Sequence, residues 1–501
     1  MPWYEEASNY EFYRMAAAAA TGATSYLPTD PYDAALHARA SGTWFDPTGA
    51  TPYDRVIIRL DEVTLPGMRV TAALVGGGCG AASVHSFRPP VDNGTDFKMG
   101  GIVIYARGAT PTLEIAVGTK ISISSDEAEP LTKKTVNAGA DGFKVTCPMP
   151  ASGAQWLSHE LTGGEGVTVK LSVRFEPFEE PLLTLAQATS GLTTVRLTGL
   201  AEAVAAGGDD HATLTYATRE GNDKMVFWCP GRGDYMMHFH MIDAFLEAGY
   251  DVYGVDHRRL GRSLDGCTFE QMSLYSHTTD LRVYFDEFEK GLAHARTVKP
   301  YTNGCVLYAH STGGLEASMW LRERGAALPF TCCVLNSPFL SYGSGGVLDI
   351  ASNLTDTLYG CLSCLPSIGP TFSLMTTAEA TNFNVGLWLQ YPAIETHRRN
   401  IVGIGGKVTL GWTAACARAH DKLLREYPAT TLPTLLLTTP GDLVLQSAEL
   451  RDRASKFSSA VEVVSIPYCR HDMLLNYDME QNAAVVSTII GWLAKGSGMS
   501  V

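Results

Sequence analysis

The chain has 501 residues, 45% of them hydrophobic and 18% charged, and a formal net charge of -14. That length exceeds one ordinary core and implies two domains or one large domain with insertions, in a balance typical of a folding globular chain rather than a disordered one. The acidic surplus supplies no basic stripe for phosphate backbones or anionic headgroups, which excludes nucleic acid and polybasic membrane docking and leaves small, largely uncharged substrates as the better fit.

The opening "MPWYEEASNYEFYR" is acidic and aromatic, without the positive start and apolar run of a secretory signal. No segment approaches the roughly 20 mostly apolar residues of a membrane span. Eleven cysteines, an odd number, include adjacent Cys332 and Cys333 and a lone CxxC at Cys361 and Cys364. They do not form a disulfide framework or a paired zinc-ligand spacing, so a reducing, cytoplasmic setting is expected. The Asn-x-Ser/Thr matches at Asn93 and Asn353 then carry no weight.

Residues 1–54 read as a short helix and an irregular arm. Over 55–185 apolar and polar residues alternate, in "RVIIRL", "MRVTAAL", "TLEIAV", "KISIS" and "VTVKLSVRF". In the last, Val167, Val169, Leu171, Val173 and Phe175 share one face, as a half-buried antiparallel strand requires. These runs, broken by Gly and Pro, predict an all-β, sandwich-like domain. It carries no catalytic constellation, and its expected roles are binding, self-association or plain structural support.

From 186 to 501 the rhythm changes to continuous apolar runs, "MVFWC", "YDVYGV", "CVLYA", "FTCCVL" and "TLLLT", most followed by helical spacing. Strands covered on both faces and alternating with helices predict an α/β, mostly parallel, doubly wound sheet. Two helices stand out: "MHFHMIDAFLEAGY", stopped by Gly249, and "NAAVVSTIIGWLAKG", with Val485, Ile489 and Leu493 spaced four apart. His238 and His240 lie two apart on the first and share no face, which rules them out as a metal pair.

Ser311, in "CVLYAHSTGG", follows a predicted strand and precedes a predicted helix, with Ala309 and Gly313 small on either side. A strained strand-to-helix turn of this kind exposes a nucleophilic hydroxyl, although a helix N-cap is the alternative use of such a serine. A serine nucleophile needs a base and a group to orient it. Asp442 ends "LPTLLLTTPGD", and His471 lies beyond "VEVVSIPYC". The order Ser, Asp, His, each beyond a strand, suits convergence above a parallel sheet. Taken singly, Asp442 could be a turn residue and His471 a loop residue. His310 should point away from its neighbour Ser311, Asp472 cannot reach around to the far nitrogen of His471, and Asp452 lies in a helix-like run. The backbone N–H groups of Thr312 and of Arg232, in "CPGRGDY", are the expected oxyanion donors. The Arg232 side chain is expected in solvent, with contact to a substrate anion as the alternative.

With these residues placed, the segment from about Leu192 to the C-terminus resembles the α/β-hydrolase superfamily, in the group of serine aminopeptidases, monoacylglycerol lipases and lysophospholipases. The resemblance rests on "CPGRGDY", "GVDHRRLGRS", "AHSTGG", "TTPGDLVL" and "CRHDML". It implies Ser311 as nucleophile, Asp442 as orienting acid, His471 as base, and the Arg232 and Thr312 amides as oxyanion hole, with no metal or cofactor. Pro230 stands where the family has histidine and Arg259 where it has glycine, the latter expected to affect packing alone. A long insertion at about 341–412 corresponds to the family's cap. Its Leu, Ile, Phe, Tyr and Trp content suits either an apolar acyl pocket or plain packing. The expected activity is hydrolysis of a small-molecule ester with an apolar acyl group, with peptidase or amidase action as one alternative and a non-catalytic binding protein as another.

Overall fold

The computed structural model describes the backbone of eight strands between residues 53 and 178 and, with short gaps, residues 191–200, 210–340, 408–475 and 479–495. Nearly all of the expected N-terminal arm lies outside the described residues, as do "KISIS", the CxxC pair, Asp452 and all of the cap insertion before residue 408.

The alternating segments form strands β1 (Tyr53–Val63), β2 (Arg69–Val75), β3 (Val84–Phe87), β4 (Gly101–Ala106), β5 (Thr112–Gly118), β6 (Phe143–Pro148), β7 (Gly153–Thr162) and β8 (Thr168–Phe178). They pair antiparallel in two four-stranded sheets, ordered β4-β1-β8-β7 and β3-β2-β5-β6.

The continuous apolar runs form a third sheet from β9 (Thr193–Leu197), β10 (Ala212–Ala217), β11 (Lys224–Cys229), β12 (Tyr250–Asp256), β13 (Cys305–His310), β14 (Cys332–Asn336), β15 (Thr434–Thr438) and β16 (Val461–Ser465). Their order is β16-β15-β14-β13-β11-β12-β10-β9. Strands β11 to β16 run parallel, while β10 pairs antiparallel with both β12 and β9. Among the described residues the α-helices are α1 (Phe239–Glu247), α2 (Val283–Val298), α3 (Ser311–Arg324), α4 (Leu410–Arg425) and α5 (Met479–Ala494). Among the described residues no helix is long and apolar enough to cross a membrane.

Along β11 to β15 both faces of this sheet are buried, which explains why those strands read as unbroken apolar runs. Along β11, Met225, Phe227 and Cys229 join one core with Phe288 of α2 and Trp320 of α3. Val226 and Trp228 point the other way, into a core with Phe245 of α1 and Val485, Ile489 and Leu493 of α5. The expected four-residue spacing on α5 is therefore its buried stripe. Because β11, β13 and β15 run parallel, their carboxyl ends lie at one edge, and the loops that leave them meet there.

Candidate active site

Strand β13 is buried throughout and passes directly into α3 at Ser311. Ser311 has φ 49°, in the left-handed region that side chains other than glycine occupy at a cost of about 1–3 kcal/mol. Close neighbours hold it there. A Cβ on Gly313 would sit 2.5 Å from the Cys229 carbonyl oxygen and closer still to that of Pro230, and one on Gly314 would sit 2.5 Å from Pro338 Cβ. The turn thus fits between the ends of β11 and β14 only because both positions lack side chains. Phe339 N–H donates to the Ser311 carbonyl at 2.8 Å, tying the segment after β14 to the same turn.

The loop after β11 folds against this elbow. Asp234 N–H donates to the Gly231 carbonyl at 3.0 Å, and Gly233 takes φ 72° within that turn. A Cβ on Gly231 would lie 3.1 Å from Ser311 Cβ and 2.7 Å from His310 Nδ1, so this glycine lets the loop reach the serine. The Arg232 side chain differs from the expectation of solvent exposure. It is only partly exposed, and its guanidinium lies 5.0 Å from the ring centroid of Trp412, a cation–π arrangement that keeps it at the protein surface rather than in bulk water. Trp412 stacks on Phe339, centroids 6.2 Å apart and planes 7° from parallel.

The other two predicted residues arrive at the same place. His471 Nε2 lies 2.7 Å from Ser311 Oγ, and His471 Nδ1 lies 2.9 Å from Asp442 Oδ2. Asp442 uses its second oxygen to accept the Leu445 N–H at 2.9 Å, which fixes the carboxylate plane. The loops bearing the two residues are fastened to each other by Ile466 N–H to the Thr438 carbonyl, 2.8 Å, and Thr439 Oγ1 to the Cys469 carbonyl, 3.1 Å. Both Asp442 and His471 are buried, and Ser311 is partly exposed. A hydroxyl, an imidazole and a carboxylate in one hydrogen-bonded run can move a proton from oxygen to nitrogen and hold the resulting cation.

The two rejected neighbours turn away. His310 Nδ1 lies 3.2 Å from Asp234 Oδ2, and Asp472 Oδ2 lies 2.8 Å from His238 Nε2. Burial alone would raise the pKa of the Asp472 carboxyl, but the charges of His310 and His238, with hydrogen bonds from His238 and the Leu474 amide, hold it far below the usual carboxylate range. His238 is therefore paired with Asp472, 234 residues away, a partnership that local spacing cannot reveal.

A second buried cluster joins α3 to α2. His257 Nδ1 lies 2.6 Å from Glu287 Oε2 on α2, and His257 Nε2 lies 3.0 Å from Glu316 Oε2 on α3, five residues after Ser311. Arg258 Nε also donates to Glu287. Burial would lower the pKa of His257, but the charges of Glu316 and Glu287 outweigh it and raise it to about 9. Glu287, with His257 and Arg258 against it, is held below its ordinary value, whereas burial keeps Glu316 above. Arg259, expected to affect packing alone, does more: its backbone takes φ 60°, and its buried guanidinium donates to Asp210 Oδ2 at 3.2 Å and to the His277 carbonyl at 2.9 Å.

A family model described as Serine aminopeptidase, S33 matches residues 220–478. Among solved structures, a monoacylglycerol lipase from Paleococcus ferrophilus is 14% identical with a TM-score of 0.41, over 62% of this chain and 99% of its own. A soluble variant of monoglyceride lipase from Saccharomyces cerevisiae is 13% identical with a TM-score of 0.41, over 60% of this chain and 97% of its own. A lipase in its open form is 16% identical with a TM-score of 0.45, over 61% and 99%. No curated protein matches. The family match begins just before β11, takes in the loop after it and the Ser311 elbow, and ends beyond the His471 loop. Because that span is more than half of the chain and takes in the six parallel strands β11 to β16, the chain is an α/β-hydrolase and belongs to the serine aminopeptidase family, S33.

Proposed function

We propose that this protein is a serine hydrolase that cleaves carboxylic esters through an acyl-enzyme. The observation that carries the reading is the unbroken run from Ser311 Oγ through His471 to Asp442, at 2.7 and 2.9 Å. As Ser311 Oγ bonds the carbonyl carbon, its proton passes to His471 Nε2, and Asp442 holds the imidazolium. The same proton then leaves with the alkoxide. Water, deprotonated by His471, attacks the acyl-enzyme and releases the acid and Ser311. The backbone N–H groups of Arg232 and Thr312 stabilise the oxyanion, each worth roughly 100- to 1000-fold in turnover.

An apolar acyl group is favoured by two features. Phe339, whose backbone amide donates to the Ser311 carbonyl, stacks its ring on Trp412. The insertion at about 341–412 is rich in Leu, Ile, Phe, Tyr and Trp. The division into an arm (1–54), a β-rich domain (55–185) and a hydrolase domain (186–501) with that insertion as its cap belongs to the same proposal.

A fluorophosphonate probe tests the mechanism: the wild type should be labelled and Ser311→Ala should not, and equal labelling of both refutes it. The family description favours a second reading, as a peptidase. Turnover of nitrophenyl esters of aliphatic acids against aminoacyl anilides separates the two, with the esters expected to win.

A further inference from the structure

Beneath the Ser311–His471–Asp442 run lies a set of acids and imidazoles that the proposed chemistry does not use. Asp234, His238, His310 and Asp472 are each no more than 2% exposed. They come from four places: the loop after β11, the start of α1, the end of β13 and the loop that carries His471. Their side chains converge. His238 Nε2 lies 2.8 Å from Asp472 Oδ2, and His310 Nδ1 lies 3.2 Å from Asp234 Oδ2 and 3.8 Å from Asp472 Oδ2. Each carboxylate gives its other oxygen to amide donors. Asp472 Oδ1 accepts Asn336 Nδ2 at 3.0 Å and Leu474 N–H at 3.1 Å, while Asp234 Oδ1 accepts Tyr235 N–H at 2.8 Å. Asn336, at the end of β14, also donates to Tyr308 Oη at 2.8 Å and accepts Met473 N–H at 3.4 Å.

We infer that Asp472 is a positioning residue, which through His238, Asn336 and His310 fastens the His471 loop to the nucleophile strand and to the oxyanion loop. This rests on the reading of Ser311, His471 and Asp442 as the catalytic groups. Asp472 is the residue after His471, so its side chain anchors the backbone that carries the base. His310 is the residue before Ser311, and Asp234 closes the turn that holds Arg232. Buried hydrogen bonds, with the 3.8 Å ion pair of His310 and Asp472, therefore link the residue after the base, the residue before the nucleophile and the turn that holds Arg232. Its bonds are charge-assisted, because the paired imidazoles keep Asp472 ionised despite complete burial. An asparagine in its place has nearly the same volume but turns one acceptor into a donor, and so sets an N–H against the ring nitrogens or gives up the bond to Asn336. Relaxation of the loop by about 1 Å is enough to slow a positioned reaction roughly 100-fold.

The test compares full-length wild type, Ser311→Ala, Asp472→Asn, His238→Gln, His238→Leu and the Asp472→Asn/His238→Leu double variant. For the proteins that keep Ser311, ester turnover is expressed per active site titrated with fluorophosphonate, so only folded chains are counted; Ser311→Ala is scored by its labelling alone. Asp472→Asn should lower kcat about 100-fold with KM unchanged. His238→Gln, whose amide can still donate to Asp472, should keep most of kcat, His238→Leu should lose as much as Asp472→Asn, and the double variant should be no worse than either single one. Should Asp472→Asn yield no folded protein, the contrast between Gln and Leu at 238 decides the matter. Wild-type kcat in Asp472→Asn, equal kcat for Gln and Leu, or multiplicative losses in the double variant would each overturn the inference. So would one equivalent of zinc per purified wild-type chain that is lost in Asp472→Asn, since Asp234, His238 and Asp472, whose ligand atoms lie within 4.8 Å of one another, would then serve as metal ligands. Labelling of Ser311→Ala at the wild-type rate overturns the catalytic reading itself, whereas an unimpaired Asp472→Asn beside an unlabelled Ser311→Ala overturns this inference alone.

Discussion

His257 offers a direct check on how the nucleophile helix is held. Its imidazole bridges Glu287 on α2 and Glu316 on α3, entirely out of solvent, and those carboxylates raise its pKa to about 9 from an ordinary 6.5. A group with a raised folded-state pKa contributes stability that is fully present below its unfolded value and is lost as pH rises through the folded one. The window here is about pH 6.5 to 9. At about 1.4 kcal/mol per pH unit, the gap amounts to about 3 kcal/mol. Replacing His257 by glutamine removes this titration while keeping a polar side chain of similar reach. Urea titrations of both proteins, followed by the competence of Ser311 to react with fluorophosphonate, report the unit that contains α3. The wild-type advantage over His257→Gln should shrink by about 3 kcal/mol between pH 6.5 and 9. Subtracting the two curves cancels His277 and His420, whose pKa values burial lowers to about 4 and whose contributions change below this window. An advantage that stays constant from pH 6.5 to 9 would refute a protonated His257 bridge.

Two further outcomes follow from the packing. In Gly313→Ala the new Cβ meets backbone carbonyls of Cys229 and Pro230 rather than a flexible side chain, so the elbow and the oxyanion loop must part; kcat should fall about 100-fold, as judged by ester turnover per titrated site. In Arg259→Gly the left-handed backbone at φ 60° is relieved by about 1 kcal/mol, but Asp210 loses a buried guanidinium, which costs about 3–5 kcal/mol. The net destabilisation, about 2–4 kcal/mol by urea denaturation, should be partly recovered by adding Asp210→Asn.

The parts of this molecule that were legible in its sequence are those governed by local rules. Burial on both faces forces continuous apolar runs, so β11 to β15 stand out, and a helix on one face of the sheet must repeat its apolar residues, so Val485, Ile489 and Leu493 declare α5. Strand β10 escapes the same rule. Its "ATLTYA" reads as alternating, yet Thr213 and Thr215 are buried as well, and Ser263 Oγ donates to Thr213 Oγ1 at 3.0 Å. A buried threonine with a hydrogen-bond partner imitates a solvent-facing one in any pattern of polarity. Ser311, Asp442 and His471 were legible for another reason: a parallel sheet fixes which strand ends meet, so the chain order of strand-terminal residues carries spatial information.

What local rules cannot supply is the pairing of side chains held by different loops. The partners His238 and Asp472, His257 and Glu316, and Arg259 and Asp210 are joined by the fold, and each residue alone has an ordinary surface explanation. Yet the first two of these pairs hold the residue after His471 and a residue of α3. A serine at φ 49° keeps that strained backbone only if its surroundings restrain it, and the restraints found here are Gly313 pressed against the carbonyls of Cys229 and Pro230, Gly314 against Pro338, and the buried ion pairs that hold Asp472 and Glu316. Apolar packing alone would fix the distance of α3 from the sheet but leave its rotation loose, because dispersion contacts have little direction. Charge-assisted hydrogen bonds set direction as well as distance. The polar groups under the elbow are therefore what should hold Ser311 Oγ on the line to His471 Nε2, and their removal should alter turnover more than it alters binding.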